Sequence, residues 1–309
     1  MITVDILLAT YNGEKYISQQ IYSLLAQTHQ DWNLYVADDG STDNTLEIIK
    51  SIMSNDDRLR IVEFEKSVKS AAKNFWRLLP YSKAEYAIFC DQDDIWLDCK
   101  LMELLNVANI RFDNTRPCLV YCDTYIYDEK QKKITADTLY PIVFNSFDDL
   151  IFHNGGYQGS SILFNKALRD KALTYYPKAM YIHDEIITLI AHCFGEIFYL
   201  DKSLMLYRIH ENNVIGKAVT NYVLLRRLKI LIARDVFVIY KPSYSSKLEF
   251  YEFFQSDIST EKREVFEGYF EYCDSKLFKK LIVLLSANLT KFRLKLIYST
   301  LTGNRFSKY

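Results

Sequence analysis

Three carboxylates stand within four residues, 91–94 (Asp-Gln-Asp-Asp), directly after the apolar run 86–90 (Tyr-Ala-Ile-Phe-Cys). An apolar run of this length predicts a buried strand that ends at the carboxylates. Because neighbouring negative charges repel each other, the cluster favours a dication such as Mn²⁺ or Mg²⁺, which often also binds phosphate oxygens of a ligand. Asp91 and Asp93 would face the same side of an extended segment. Asp94 could instead cap the following helix.

A second acidic turn, residues 38–43 (Asp-Asp-Gly-Ser-Thr-Asp), follows the strand-like segment 33–37. Asp39 is a better candidate for a ligand contact than Asp38, whose side chain points elsewhere in an extended strand. The alternative for Asp39 is an ordinary turn or helix-cap residue. A calcium loop is disfavoured here, because the remaining ligand spacing and the terminal Glu of such loops are absent.

Strand and helix patterns alternate through the first 110 residues. Strands are predicted over 3–9, 34–37, 60–64 and 86–90, and helices over 15–27, 44–53, 71–79 and 97–110. This alternation predicts a mostly parallel sheet flanked by helices, which binds ligands outside the carboxyl ends of its strands. Both acidic turns fall there. A dinucleotide-binding loop is disfavoured, because residues 9–13 after the first strand contain one glycine.

Composition fits a soluble enzyme of one large domain or two modest ones, with 309 residues and 49% hydrophobic content. The six cysteines form no CxxC pair and lack zinc-finger spacing, so we expect a reducing, cytoplasmic setting and no structural zinc. No secretory signal is expected, because Met1 leads directly into a strand pattern. No apolar run approaches the ~20 residues of a spanning helix.

These motifs resemble those of the family 2 glycosyltransferases with the GT-A fold. Five ordered stretches and Asn74 carry the resemblance: 8–13 (LATYNG), 36–43 (VADDGSTD), 91–96 (DQDDIW), 183–185 (HDE) and 207–216 (YRIHENNVIG). The DQDDIW and YRxHxxNxxG forms are most similar to the bacterial rhamnosyltransferase-like branch, whose members build surface polysaccharides. The resemblance implies a GT-A fold with a Rossmann-like sheet and a C-terminal helical extension.

The resemblance assigns donor-binding roles to the first strand ends. Thr10 and Asn12 would line the nucleotide pocket, and Asp39 would accept a hydrogen bond from the pyrimidine N–H, as a carboxylate can. In the family the last acid of the motif is usually the metal ligand, which makes Asp93 the first candidate and Asp91 the second. The metal would neutralise charge on the departing nucleoside diphosphate.

A base is needed to remove the proton of the acceptor hydroxyl. Asp184 is the candidate, because the family's base usually stands in a Glu-Asp or His-Asp pair that opens a helix, and residues 181–193 have helical spacing. Glu185 is a competing base, since related sequences often have an aromatic residue there. His183 would either position its neighbour or pack in the core.

Other implied contacts involve the diphosphate and the sugar. Arg208 and His210 would belong to a loop over the diphosphate, where Arg binds phosphate oxygens and His binds metal or phosphate. Gly159 and Ser160, in the glycine-dense segment 154–161, would face the donor sugar, although an ordinary turn is the alternative. Trp96 is a further sugar-contact candidate.

Three regions follow from these motifs: 1–125 for the nucleotide sugar, 126–216 for the acceptor and the base, and 217–309 as a basic helical region. The last region holds 17 Lys and Arg against 9 Asp and Glu, and residues 1–216 hold 21 against 30. A basic amphipathic helix is predicted around 224–232, and residues 275–309 contain eight basic and no acidic residues. An anionic membrane, a helical cap on the body and dimerisation are the alternatives for this region.

The resemblance therefore implies an inverting, metal-dependent glycosyltransferase that uses dTDP-rhamnose or a UDP-hexose. Its acceptor would be a growing, lipid-linked glycan, met at the inner face of the cell membrane, and no nucleic-acid recognition motif is present. The rival is a non-catalytic protein that binds nucleotide sugars or glycans. An Asp-nucleophile phosphatase is disfavoured, because residues 91–95 lack the Thr of its DxDxT motif.

Overall fold

The computed structural model describes residues 2–54, 56–136, 143–211, 240–289, 297 and 300. This part of the chain contains nine strands, β1 (Val4–Thr10), β2 (Trp32–Asp38), β3 (Leu59–Ile61), β4 (Tyr86–Asp91), β5 (Ile95–Trp96), β6 (Cys118–Asp128), β7 (Lys133–Ala136), β8 (Ile162–Asn165) and β9 (Glu196–Ile209). It also contains ten helices, α1 (Ile17–Leu25), α2 (Thr45–Met53), α3 (Ala71–Trp76), α4 (Lys100–Arg111), α5 (Phe147–Ile151), α6 (Lys166–Leu173), α7 (His183–Phe194), α8 (Lys241–Phe254), α9 (Thr260–Asp274) and α10 (Leu277–Ser286).

The nine described strands form one sheet in the order β3-β2-β1-β4-β8-β6-β9-β5, with β7 paired to β6. The first four strands of this order are parallel, as the alternating pattern predicted. In their register Thr10 lies opposite Asp38, and Ala9 lies opposite Asp91. The carboxyl ends of β1, β2 and β4 therefore bring both acidic turns to the same edge of the sheet.

The remaining strands change the direction of the sheet. β8 pairs antiparallel with β4 and β6, whereas β6 and β9 are parallel over a long register. The predicted α/β class with a Rossmann-like parallel half is confirmed, and the antiparallel strand β8 joins that half to the β6–β9 half. The base candidate Asp184 lies on α7, which directly precedes β9.

Both faces of the sheet are covered, which explains why β1 is largely apolar, with Asp5 and Thr10 as its polar residues. Val4, Ile6 and Leu8 face a cluster that includes the apolar stripes of α1 and α4. Leu7 and Ala9 face the opposite cluster, to which α3, α7 and the C-terminal helices contribute. Side chains alternate across a strand, so a strand buried on both faces carries no polar alternation.

Several boundaries differ from the predicted ones. The third helix ends at Trp76 rather than residue 79, and a short 3-10 turn with Pro80 follows, because proline lacks the N–H that an α-helix interior requires. The fourth helix begins at Lys100 rather than residue 97. Asp94 does not cap it, since its N-cap residue is Cys99, so that alternative for Asp94 is wrong.

The C-terminal helices pack on the body through aromatic side chains. Phe250 and Phe254 of α8 and Phe266 and Tyr269 of α9 are buried in the cluster that also contains α7. The amphipathic helix predicted around 224–232 lies outside the described residues. Across the residues that the structure does describe, no helix has the length and apolar character needed to cross a bilayer.

Candidate active site

A cavity of about 660 Å³ opens at the carboxyl end of β4 and beside the middle of β6, at residues 121–124. Its wall includes the segment 153–159 and the start of α7. Lys69 and Ser70, which lie close to Asp39, also line it. Among the described residues, four carboxylates line this cavity: Asp91, Asp93, Asp123 and Asp184. The structure thus brings the acid cluster and the predicted base to the same cavity.

Asp184 stands in the first turn of α7, where the partial positive charge of a helix N-terminus favours an acid. Its Oδ2 accepts a hydrogen bond from the Gly159 N–H at 3.2 Å. Its Oδ1 is buried and has no hydrogen-bond partner among the described residues. Burial first, and then the charge of Asp91, raise the pKa of Asp184 to about 7. A carboxylate with a pKa near neutrality suits proton abstraction.

Glu185, the competing base, belongs to the interior instead. It is 0% exposed and is not among the described residues that line the cavity. Its Oε1 accepts hydrogen bonds from the Gly155 N–H at 3.1 Å and from the Ser243 hydroxyl, and it lies 3.4 Å from the buried Lys247 ammonium. A carboxylate paired in this way cannot reach a substrate hydroxyl, so the structure argues against Glu185 as the base.

His183 is packed rather than poised for proton transfer. Its ring stacks on Phe75 at 4.1 Å between centroids and meets the edge of Phe89 at 4.6 Å. Burial lowers the pKa of His183 to about 3, so the imidazole is neutral at physiological pH. A Cβ added at Gly159 would lie 2.6 Å from His183 Nε2, which explains the glycine beside the cavity.

The acid cluster divides between the cavity and the interior. Asp91 and Asp93 line the cavity, and burial together with the charge of Asp93 raises the pKa of Asp91 to about 7. Asp94 is buried and accepts a hydrogen bond from the Ser160 hydroxyl at 2.9 Å. Burial raises the pKa of Asp94 well above its usual range.

Lys100 supplies a buried positive charge behind this cluster. Its ammonium donates to the Ser160 carbonyl at 2.6 Å and lies 3.6 Å from the centroid of the Trp96 ring. Burial lowers the pKa of Lys100 to about 8, while the charges of Asp94 and Asp91 oppose that shift. Lys100 was not among the site residues predicted from the sequence. It stands on the apolar stripe of α4 with Leu101, Leu104, Leu105 and Ala108, a position that indicated burial.

Two of the three predicted sugar contacts are not at the cavity. Trp96 is 3% exposed in the core, where its ring lies beneath the Lys100 ammonium. Ser160 is buried with its hydroxyl bonded to Asp94. Of the three, Gly159 alone is among the described residues that line the cavity. The assignments of Trp96 and Ser160 are therefore corrected from sugar contacts to supports of the acid cluster.

His210 and Arg208 both contact the acid cluster from the end of β9. His210 Nε2 lies 2.9 Å from Asp93 Oδ2. The buried Arg208 guanidinium donates to the Asp93 carbonyl at 2.9 Å, to Gln19 at 2.7 Å and to Glu129. These contacts hold β9 against the acid turn, so the guanidinium is engaged within the protein rather than presented to a diphosphate.

The predicted nucleotide residues form a braced polar edge beside the cavity. Asn12 has a left-handed backbone (φ 47°) and its side chain accepts from the Thr42 N–H at 2.8 Å. The Asp39 carboxylate accepts from the N–H groups of Val68 at 2.6 Å and Ser70 at 3.2 Å. Asp39 thereby holds the segment that leads into the cavity wall.

Gln92 links the acid cluster 91–94 to the turn after β1, a role that the sequence did not reveal. Its Oε1 accepts from the Thr10 hydroxyl at 2.6 Å and from the Tyr11 N–H at 2.9 Å. Its Nε2 donates to the Tyr11 carbonyl at 3.1 Å. The sequence signal for this role is an amide among carboxylates. Gln92 can both donate and accept hydrogen bonds, whereas the neighbouring carboxylates only accept them.

Within the described residues, no group of three or more His, Cys, Asp and Glu side chains is preassembled around a metal position. The donors at the cavity nevertheless fit a hard dication, since Asp91 and Asp93 offer carboxylate oxygens and His210 offers an imidazole nitrogen beside Asp93. A cation would also offset the repulsion that raises the pKa of Asp91.

The family match and the fold identify a glycosyltransferase of the GT-A type. The chain belongs to glycosyl transferase family 2, because the model of that family matches residues 5–173. The dTDP-rhamnosyl transferase RfbG of Shigella flexneri is 28% identical over 232 residues, which are 72% of this chain and 78% of that protein. The UDP-Glc:alpha-D-GlcNAc-diphosphoundecaprenol beta-1,3-glucosyltransferase WfgD of Escherichia coli is 39% identical over 98 residues, 32% of this chain and 38% of that protein.

Solved structures support the same fold. S. aureus TarS 1–349 in complex with UDP-GlcNAc has a TM-score of 0.62 and 17% identity, over 97% of this chain and 80% of that one. The mannosyltransferase PcManGT from Pyrobaculum calidifontis, in complex with GDP-Man and Mn²⁺, has a TM-score of 0.53 and 16% identity, over 96% of this chain and 84% of that one.

Proposed function

We propose that this protein is an inverting, metal-dependent glycosyltransferase that extends a bacterial surface polysaccharide, with Asp184 as the general base. The observation that carries the proposal is the position of Asp184. Its carboxylate lines the cavity shared with Asp91 and Asp93, and it keeps one buried oxygen without a partner among the described residues. An acceptor hydroxyl is the partner that this oxygen would take.

In the proposed reaction Asp184 accepts the proton of the acceptor hydroxyl while the oxygen attacks the anomeric carbon of the donor sugar. Attack occurs on the face opposite the nucleoside diphosphate, so the anomeric configuration is inverted. Asp91, Asp93 and His210 would hold the metal, which stabilises negative charge on the leaving diphosphate when bound. The Gly159 N–H orients the Asp184 carboxylate through its hydrogen bond to Oδ2.

For the donor we propose dTDP-rhamnose or a UDP-hexose. The dTDP-rhamnosyl transferase RfbG, similar over 72% of this chain, supports the first, and the UDP-Glc-dependent WfgD supports the second. Both donors present a pyrimidine. Asp39 would accept a hydrogen bond from the pyrimidine N–H, and Thr10 and Asn12 would line the nucleotide pocket. Asp39 lies beside Ser70 of the cavity wall, as this assignment requires.

The acceptor is proposed to be a lipid-linked glycan. WfgD, whose name states a diphosphoundecaprenol acceptor, supports this assignment by similarity. The aromatic residues Tyr121, Tyr157, Tyr181 and Tyr207 line the cavity and would pack against sugar rings. The protein would then work in the cytoplasm at the inner face of the cell membrane.

The donor assignment is tested by thermal shift with UDP, dTDP, GDP and ADP, each with Mn²⁺ and with EDTA, followed by a hydrolysis or transfer assay with the matching sugar donor. Ligands that bind the folded state raise the melting temperature by mass action. We expect a metal-dependent shift with a pyrimidine diphosphate alone. Equal shifts with ADP, or none with any nucleotide, would contradict the proposal.

A further inference from the structure

Helix α10 presents a wide apolar face to solvent. Leu277, Phe278, Ile282 and Leu285 are 49%, 77%, 51% and 67% exposed. At 3.6 residues per turn these four side chains, with Leu281 between them, form one continuous face, here called the α10 apolar face. The opposite side of the helix, with Val283 and Leu284, is buried against the body. Soluble surfaces rarely leave so many large apolar side chains together without a partner.

The surroundings of the α10 apolar face are positively charged. Lys276 and Lys279 are exposed beside it, Lys279 forms an ion pair with Glu271 of α9 at 2.5 Å, and Lys280 donates to the Cys273 carbonyl at 3.2 Å. The described residues 275–289 contain three lysines and no Asp or Glu. A second copy of this surface would place like charges against each other, whereas an anionic surface complements them.

We infer that the α10 apolar face docks on an anionic lipid bilayer, with its apolar side chains in the headgroup boundary and the neighbouring lysines at lipid phosphates. Helices with such a face bind in the plane of the interface, and each nearby Lys or Arg adds attraction to anionic lipid. The inference rests on the proposed function for its purpose, access to a lipid-linked acceptor, while its evidence is the surface itself.

A chain of contacts joins this face to the active-site cavity. The Asn288 N–H, just after α10, donates to Asp148 Oδ1 at 2.8 Å, and the Ser146 hydroxyl donates to the Asn288 carbonyl at 2.7 Å. Asp148 lies in α5, which ends at Ile151, and the cavity wall begins at His153. A bilayer under α10 is therefore linked through α5 to the wall that would receive the acceptor.

The first test is co-sedimentation of the full chain with vesicles of phosphatidylcholine alone and of phosphatidylcholine with phosphatidylglycerol. Wild type should bind the anionic vesicles only. The double variant Phe278→Ser/Leu285→Ser should lose about tenfold or more of that affinity. Ile110→Ser, which removes a side chain that is 81% exposed on α4, is the matched control and should bind like wild type.

The second test changes the charge. Lys276→Glu should weaken binding to anionic vesicles by about fivefold or more, and the control Lys50→Glu, an exposed residue on α2, should not. Unchanged binding by the α10 variants, or no binding by wild type, overturns the inference. It is also overturned if sedimentation velocity without lipid shows self-association that Phe278→Ser/Leu285→Ser abolishes. Nucleotide thermal shifts without vesicles report on the proposed function separately.

Discussion

Two parts of the proposed active site are built in different ways. The donor edge is the part proposed to bind the nucleotide sugar, with Thr10, Asn12, Asp39 and Gln92, and the acceptor side is the part that carries Asp184. At the donor edge, turn residues brace one another through short polar contacts, as when Asn12 binds the Thr42 N–H and Gln92 binds Thr10. On the acceptor side, the helix that carries Asp184 is held through buried Glu185, which pairs with Ser243 and Lys247 of α8. Turn motifs thus set one half of the site, and long-range packing sets the other.

This difference predicts that the two halves fail in different ways. Damage at the donor edge should remove turnover or nucleotide binding and leave the fold intact. Damage to the supports of the acceptor side should lower stability and activity together.

Metal removal addresses the donor edge. EDTA should lower transfer by about a hundredfold or more, because charge on the departing diphosphate would no longer be neutralised. Added Mn²⁺ should restore it, and the far-ultraviolet circular dichroism spectrum should not change in either state. Full activity in EDTA would remove the assignment of Asp91, Asp93 and His210 as metal ligands.

Lys247→Ala addresses the acceptor side. It leaves the fully buried Glu185 carboxylate without its ammonium partner, and breaking a buried ion pair costs about 3–5 kcal/mol of unfolding free energy. Urea denaturation measures the loss. The double variant Glu185→Gln/Lys247→Met should regain much of it, since no unpaired charge remains. An equally unstable double variant would show that the loss came from packing alone.

Gly159→Ala tests the close contact between the cavity wall and His183. The new Cβ would lie 2.6 Å from His183 Nε2, so we expect a loss of about 1–3 kcal/mol and lower transfer activity. Gly268→Ala on α9 is the matched control, because nothing lies within 4 Å of its Cβ position. That change should gain up to about 1 kcal/mol from helix propensity. Equal behaviour of the two variants would contradict the contact.

The pKa of Asp184 predicts that the stability of the folded protein depends on pH in a defined direction. Folding raises this pKa from 3.8 to about 7, so between these values the folded protein holds a proton that the unfolded chain has lost. Wild-type stability therefore falls over that range as pH rises. Asp184→Asn removes the loss and should be more stable than wild type by up to about 4 kcal/mol above pH 7, with little difference near pH 4.

The exposed Asp98 provides the control for that measurement. Asp98→Asn should show no comparable gain with pH, because its carboxylate is at the surface. A pH-independent difference between wild type and Asp184→Asn would mean that Asp184 is not a desolvated carboxylate.

Local signals in the sequence predicted the donor edge well. Strands β1, β2 and β4 and their terminal acids follow from apolar runs bounded by polar turns, and the structure confirms the parallel sheet that they imply. The burial of Lys100 was not predicted, because a lysine is almost never fully buried without a partner, and Trp96 was assigned to the sugar instead of the core.

The acceptor side was less predictable for a physical reason. The role of Glu185 depends on Ser243 and Lys247, which are about sixty residues away in the chain. No local periodicity reports such a pairing. The reversal of direction at β8 likewise depends on which strand pairs with β4, and a strand pattern does not contain that information.

The most direct test of the account is the transfer rate of Asp184→Asn, measured with its nucleotide affinity and with Asp98→Asn alongside. The account predicts that Asp184→Asn lowers kcat by about 10²–10⁴-fold, the range for a lost general base, while nucleotide binding stays within a factor of about two of wild type. Near-normal turnover by Asp184→Asn would contradict the account, because the proton of the acceptor hydroxyl would then have to go to a group other than Asp184.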